Sequence, residues 1–207
     1  MKQWKPCLAW MLTIFALALP GISQAQNPGN GGTTYAGLQV TTRPEEFLGK
    51  FVELAQADGA ANAALLTAMG DAEAAKKVSS QLATLDTNAT PADISAATAA
   101  TRAARQRVTD MLAAHLTLSD ASKASIASGA LKLANTAHGF TLLTRNINAT
   151  KQSLSQAGAP ARIALLAARA TPDQAAQLRA ELGAMLSFAG ANQLSLAPEV
   201  GQAAAEL

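Results

Sequence analysis

The sequence has one cysteine and few aromatic side chains. That cysteine, Cys7, lies near the amino terminus, and 4% of all residues are aromatic. A single cysteine excludes an internal disulfide and the zinc sites that use several thiolates. Both tryptophans, Trp4 and Trp10, also fall in the amino-terminal stretch. The rest of the chain therefore has few rings on which a sugar or an unpaired base could stack, and we expect neither a carbohydrate nor a nucleic acid as its ligand.

Sequence motifs that mark catalytic and cofactor sites are also lacking. There is no Gly-x-Ser-x-Gly elbow, no phosphate-binding loop with its lysine, and no histidine pair at metal-ligand spacing. The two histidines, His115 and His138, fall on the two arms of a predicted helical hairpin, roughly 24 Å apart at the α-helical rise per residue. We interpret both as structural side chains and expect no metal and no cofactor. An enzyme that combines one of them with a carboxylate of another helix is an alternative.

The first 25 residues have the layout of a secretory signal peptide. Two lysines give a positive start, residues 8–19 are almost entirely apolar, and Ser23 and Ala25 are small residues at the positions that a signal peptidase reads. The apolar run is shorter than the ~20 residues of a transmembrane helix. We predict cleavage after Ala25. The mature protein is then periplasmic or secreted and has no transmembrane segment.

The chain that follows divides into a linker and a domain. Glycine is frequent in residues 26–42, so we expect a flexible linker there, and residues 43–207 are predicted to form one α-helical domain. Without the two lysines of residues 1–25, the chain carries 14 basic and 14 acidic side chains. This balance does not indicate a nucleic acid as partner.

Apolar residues at helical spacing predict an all-α fold, a single bundle of about five to six helices. Phe140, Leu143 and Ile147, for example, fall on one face of a helix. Glycines within the pattern predict breaks near Gly59 and Gly139. The predicted helices cover residues 43–69, 71–86, 91–117, 120–153, 160–170 and 172–189.

Three of the predicted helices begin with the same chemistry. Thr42, Thr90 and Thr171 are each followed by a carboxylate two or three residues later, and a threonine hydroxyl can cap the first free amides of a helix. Proline comes directly after Thr90 and Thr171, at the first helical position, where its missing N–H costs nothing. The pair Thr171-Pro172 therefore predicts a boundary between two helices.

Charge is unevenly distributed along the chain. Residues 121–172 include basic residues but no acidic ones. Lys132, Arg145 and Lys151 of this segment are a candidate interaction face for an envelope protein or another anionic component of the cell envelope. In the alternative interpretation, the apolar stripe of the same segment is core and the charges are solvated.

Binding is the function that the sequence favours. We expect an exported, periplasmic helical protein of non-enzymatic type that binds another cell-envelope component. A carrier that holds a small apolar ligand, such as a lipid or quinone, in an inter-helix cavity is an alternative, as is the histidine–carboxylate enzyme. Asn88 begins an Asn-x-Thr triplet of the kind read in N-glycosylation, which we interpret as a chance match.

Overall fold

The described part of the chain is entirely helical apart from turns and loops. The computed structural model describes residues 43–114, 118–154 and 159–206, without the side chains of 148–154, 159 and 160. These residues contain no strand, which confirms the predicted all-α bundle. None of the described helices is both long and apolar enough to cross a membrane. The helices are α1 (Pro44–Ala68), α2 (Ala72–Leu82), α3 (Pro91–Ala113), α4 (Asp120–Leu154), α5 (Ala159–Ala191) and α6 (Pro198–Glu206).

Helix α1 is the centre of the bundle and packs against α2, α3, α4 and α5. Phe51 of α1 meets Phe140 of α4 edge to face, with ring centroids 6.1 Å apart, which is a favourable arrangement of two aromatic quadrupoles. Leu143 and Ile147 are buried beside them. The predicted apolar stripe of α4 is therefore core, not an exposed surface.

The predicted breaks at Gly59 and Gly139 are wrong, because both helices continue through these residues. A methyl group at Gly59 would overlap Leu82 of α2, and one at Gly139 would overlap Leu54 of α1. These glycines serve close helix packing, and the leucines that cover them occupy the space a side chain would need.

Capping defines the start of α3 as predicted. The Thr90 hydroxyl accepts a hydrogen bond from the Asp93 amide at 3.3 Å, and the Asp93 carboxylate accepts one from the Thr90 amide at 2.8 Å. This is a reciprocal capping box. Helix α1 differs from the prediction, because its N-cap is Arg43 and not Thr42, and the Arg43 side chain makes no capping bond.

The predicted helix boundary at Thr171-Pro172 is also wrong. Helix α5 runs through Pro172, and the Thr171 hydroxyl, buried within it, donates to the Ala167 carbonyl at 2.8 Å. Ala168 before the proline and Leu178 after it are both core residues. Burying both halves of one helix outweighs the ~3 kcal/mol that an interior proline costs. The structure adds α6, which was not predicted and which packs on α4 and α5.

Candidate functional site

An open groove of about 440 Å³ lies along the seam between α3 and α5. Its walls are mainly apolar, and Leu166 is one of two large apolar side chains exposed in the described residues, at 37%. Thr98 and Ala99 of α3 and Ala170 of α5 leave the seam shallow, because small side chains do not fill it. We call this surface the α3–α5 groove. Its principal lining residues are Ile94, Thr98, Ala99, Leu166 and Ala170.

Charged side chains border the α3–α5 groove on both helices. Arg102 of α3 and Asp173 of α5 form an exposed ion pair across it, with a nitrogen–oxygen distance of 2.7 Å. Arg169 lines the same groove, is exposed, and has no ion-pair partner among the residues the structure describes. The groove lining therefore carries one net positive charge beside an apolar surface.

Beneath this seam lies a cluster of charged side chains from three helices. Asp58 of α1, Arg105 of α3 and Glu181 of α5 have side-chain exposures of 0%, 4% and 1%. The Arg105 Nη2 donates to the Asp58 Oδ2 at 2.6 Å, and its Nε lies 3.4 Å from the Asp58 Oδ1. Glu181 is less closely paired, since its Oε2 lies 3.8 Å from the Arg105 Nε. We call these three residues the buried cluster.

Burial raises the pKa of both carboxyl groups of the buried cluster. For Glu181, burial is the largest cause and the neighbouring charge of Asp58 adds to it, so that its pKa rises to about 8 although the charge of Arg105 and the amide of Asn62 oppose the shift. For Asp58, burial again raises the pKa, while the charge and hydrogen bonds of Arg105 lower it. The two acids thus share one guanidinium, but Asp58 alone is hydrogen-bonded to it.

Hydrogen bonds connect the buried cluster to the α3–α5 groove. Gln177 of α5 accepts a bond from the Arg105 Nη1 at 3.0 Å and donates to the Asp173 carboxylate at 2.9 Å. Asp173 in turn pairs with Arg102 at the groove. A continuous polar chain therefore runs from the core to the surface along the seam.

Sequence reasoning missed the buried cluster. Arg105 stands in a short basic run with Arg102 and Arg107 that looks like exposed positive charge, yet each of the three is paired, and Arg107 bonds Asp71 of the α2 cap at 2.7 Å. A signal was present in the pattern, since Arg105 lies three residues before Val108 and next to Ala104 on the buried face of α3. Its partners on other helices could not be identified from that face alone.

The structure does not bring the predicted basic residues onto one face. Lys132 and Arg145 are exposed on α4, and Lys151 lies on the same helix, where its side chain is not described. At 3.6 residues per turn the three positions differ by roughly 100–140° around the helix axis. Lys132 and Arg145 therefore lie on different sides of α4, and the role of the three residues as an interaction face stays a prediction.

The other sequence-predicted residues lie apart from the groove. His115 is outside the described residues. His138 Nδ1 lies 3.4 Å from the Glu206 Oε2 of α6, and both side chains are substantially exposed. Asn88 is exposed in the α2–α3 connection. Within the described ranges, no group of three or more His, Cys, Asp and Glu side chains is placed to hold a metal ion.

No protein-family model matches the chain, and no curated protein or solved structure is significantly similar to it. What the molecule does must therefore be inferred from the α3–α5 groove and the buried cluster.

Proposed function

We propose that the protein is an exported, non-enzymatic helical protein that binds an acidic amphipathic segment of another cell-envelope protein in the α3–α5 groove. The observation that carries this proposal is the groove itself, with exposed Leu166 beside an apolar floor and Arg169, which has no ion-pair partner in the described part of the chain. The amino-terminal segment with the layout of a signal peptide supports the compartment.

The shape and charge of the groove favour a segment of another protein. It is open along two helices, and an amphipathic helix laid in such a groove buries its apolar face while its polar face stays in water. One net positive charge from Arg102, Arg169 and Asp173 complements an acidic partner and disfavours a basic one. Arginine is also one of the residue types enriched among the residues that contribute most to binding at protein interfaces.

The buried cluster supports binding over catalysis. Its two acids have raised pKa values, as catalytic acids often have, but Asp58 and Glu181 are sealed in the core. A substrate in the groove cannot contact either carboxyl group. The cluster is better suited to holding α1, α3 and α5 together beneath the binding surface.

A small-ligand carrier is the second candidate, and the groove volume is the observation that favours it. About 440 Å³ falls within the range of roughly 300–1,000 Å³ that is typical of small-molecule sites. Native mass spectrometry of the protein purified from a bacterial periplasm distinguishes the two. A bound lipid or quinone supports the carrier, and its absence together with a cross-linked protein supports the segment-binding function.

Site-specific photo-cross-linking tests the proposed function. A photoreactive residue replaces Ser95 in the groove, Lys132 on α4, or Gln202 on α6, and the full chain is expressed with its leader in bacterial cells. We expect a cross-linked protein from position 95, with an acidic amphipathic segment as the linked peptide. Cross-links from position 132 alone would instead support the basic face of α4 and contradict the groove.

A matched pair of leucines gives the control. Leu166 and Leu186 lie on the same helix with exposures of 37% and 36%, but Leu166 lines the groove and Leu186 does not. Leu166→Gln should weaken binding of the identified peptide by about tenfold or more, since burial of a leucine contributes about 1.5–3 kcal/mol. Leu186→Gln should leave the affinity unchanged. Equal affinities of the two variants, measured by calorimetry, would exclude this groove as the binding site.

A further inference from the structure

We infer that the buried cluster is a proton-binding site, in which Glu181 holds one proton in the folded protein. The inference does not depend on what binds in the α3–α5 groove. It follows from the number of charges in the cluster, from their distances and from the buried atoms that lack a partner.

The guanidinium of Arg105 is already committed to Asp58. Two of its nitrogens face the Asp58 carboxylate at 2.6 and 3.4 Å, and a third donates to Gln177 at 3.0 Å. Glu181 is left 3.8 Å from the nearest of these nitrogens, and neither of its oxygens accepts a hydrogen bond from the described residues. An ionised carboxylate in the core without a hydrogen bond is strongly unfavourable, so the neutral acid is favoured.

Asn62 is a further buried polar side chain of this region. Its Nδ2 donates to the backbone carbonyl and to the carboxylate of Asp58, at 3.1 and 3.0 Å, while its Oδ1 is buried with no donor among the described residues. The Asn62 amide acts on Glu181 and lowers the pKa of that carboxyl group, against the larger effect of burial. Both Glu181 oxygens and the Asn62 Oδ1 are thus buried acceptors without a donor among the described residues, and a proton on Glu181 adds a donor to this group of atoms.

No further charge within the described residues offsets the charge of Glu181. The charged groups that face it are Asp58 from α1, which repels an anion, and Arg105 from α3, which is shared. On α5 itself the neutral Gln177 contacts Arg105, and the described residues of α4 and α6 contribute no ion pair to the cluster. Two buried carboxyl groups face one guanidinium, so the charges of the cluster balance when one of the two carboxyl groups holds a proton.

Proton binding makes stability depend on pH in a defined direction. The unfolded chain loses the Glu181 proton near the ordinary pKa of 4.5, and the folded protein loses it near 8. Between these values the folded state binds one more proton, so stability is greatest below the lower value and falls as pH rises towards the upper one. The unfolding equilibrium constant should increase by up to about tenfold per pH unit in this interval.

Denaturant unfolding of the mature chain between pH 5 and pH 8 tests the inference. The variants are Glu181→Gln, which resembles the neutral acid, and Glu53→Gln, which changes an exposed glutamate of α1. We expect wild type and Glu53→Gln to lose stability in parallel as pH rises. At pH 5 the Glu181→Gln variant should be as stable as wild type. Its free energy of unfolding should then fall less steeply with pH than that of wild type, by the contribution of one bound proton. A slope equal to that of wild type would overturn the inference.

A direct measurement on wild type covers the case in which Glu181→Gln does not fold. The carboxyl ¹³C resonance of Glu181, assigned in the folded protein, should have the chemical shift of a protonated acid at pH 6 and titrate near pH 8. An ionised Glu181 at pH 6 would overturn the inference, as would a proton held by Asp58 in its place.

Discussion

Arg102 and Arg105 lie almost one turn apart on α3 and make ion pairs of different kinds. Arg102 pairs with Asp173 at the surface, where side-chain exposures are 60% and 50%, and water screens such a pair. Arg105 pairs with Asp58 in the core, where no water is available to replace a lost partner. The same residue type therefore has a small effect on stability at one position and a large effect at the other.

Removing Arg105 is predicted to destabilise the protein strongly. Arg105→Met leaves the Asp58 carboxylate buried without a counter-charge, and we expect the free energy of unfolding at pH 7 to fall by about 3–5 kcal/mol. Arg102→Met is the matched control and should cost less than about 1 kcal/mol. Urea unfolding followed by circular dichroism measures both. Similar losses in the two variants would mean that the cluster is hydrated and not sealed.

A triple replacement tests whether the cluster stabilises the fold through its charges or only through the volume that its side chains fill. Asp58→Leu, Arg105→Met and Glu181→Leu together remove all charges of the buried cluster and keep its volume nearly unchanged. Such replacements are often neutral or stabilising, so the triple variant should regain most of the stability lost in Arg105→Met. Failure to regain it would show that the polar contacts themselves stabilise the fold.

At the scale of the helix, α5 shows that a local start signal does not have to start a helix. Thr171-Pro172 carries the same residues as the true start at Thr90-Pro91, and yet only Thr90 is an N-cap. What differs is the chain on the amino-terminal side. Before Thr90 it turns away from α2, whereas before Thr171 it is already helical and packed through Ala164 and Ala168.

Replacing Pro172 and Pro91 in turn tests whether each proline lies inside a helix or at its first position. Pro172→Ala restores an N–H that can donate to the Ala168 carbonyl, and we expect a stabilisation of up to about 3 kcal/mol. Pro91→Ala, at the first position of α3, should change stability little, because that amide has no partner within the helix. Thermal unfolding compares the two. If Pro172→Ala were as neutral as Pro91→Ala, a helix boundary at Thr171 would be the better description.

At the scale of the whole molecule, residues 1–25 are predicted to decide where the helical bundle acts. They lie outside the described residues, and cleavage after Ala25 remains a prediction. The intact mass of protein recovered from a bacterial periplasm should correspond to a chain that begins at Gln26. Ala25→Arg places a large charged residue at the cleavage position and should leave residues 1–25 attached. A wild-type protein that starts at Met1 and stays in the cytoplasm would contradict the compartment and the envelope partner.

Features that depend on neighbours along the chain could be predicted before the fold was known. The all-α class follows from apolar residues at helical spacing, and the start of α3 follows from Thr90 and Asp93, three residues apart. Core positions such as Phe140 could be predicted for the same reason. In each case the interacting residues lie within one or two helical turns, so the local pattern contains the information.

How the helices pack against one another could be seen in the tertiary structure alone. It made α5 continuous through Pro172, placed leucines over Gly59 and Gly139, and opened the α3–α5 groove around Leu166. The buried cluster is the clearest example, because Arg105 reaches Asp58 across 47 positions of sequence. The sequence indicates on which face of a helix a charged residue lies, but it does not indicate which oppositely charged residue of another helix will pair with it. That pairing is set by the packing of α1, α3 and α5, since burial removes the water that would otherwise solvate each group alone.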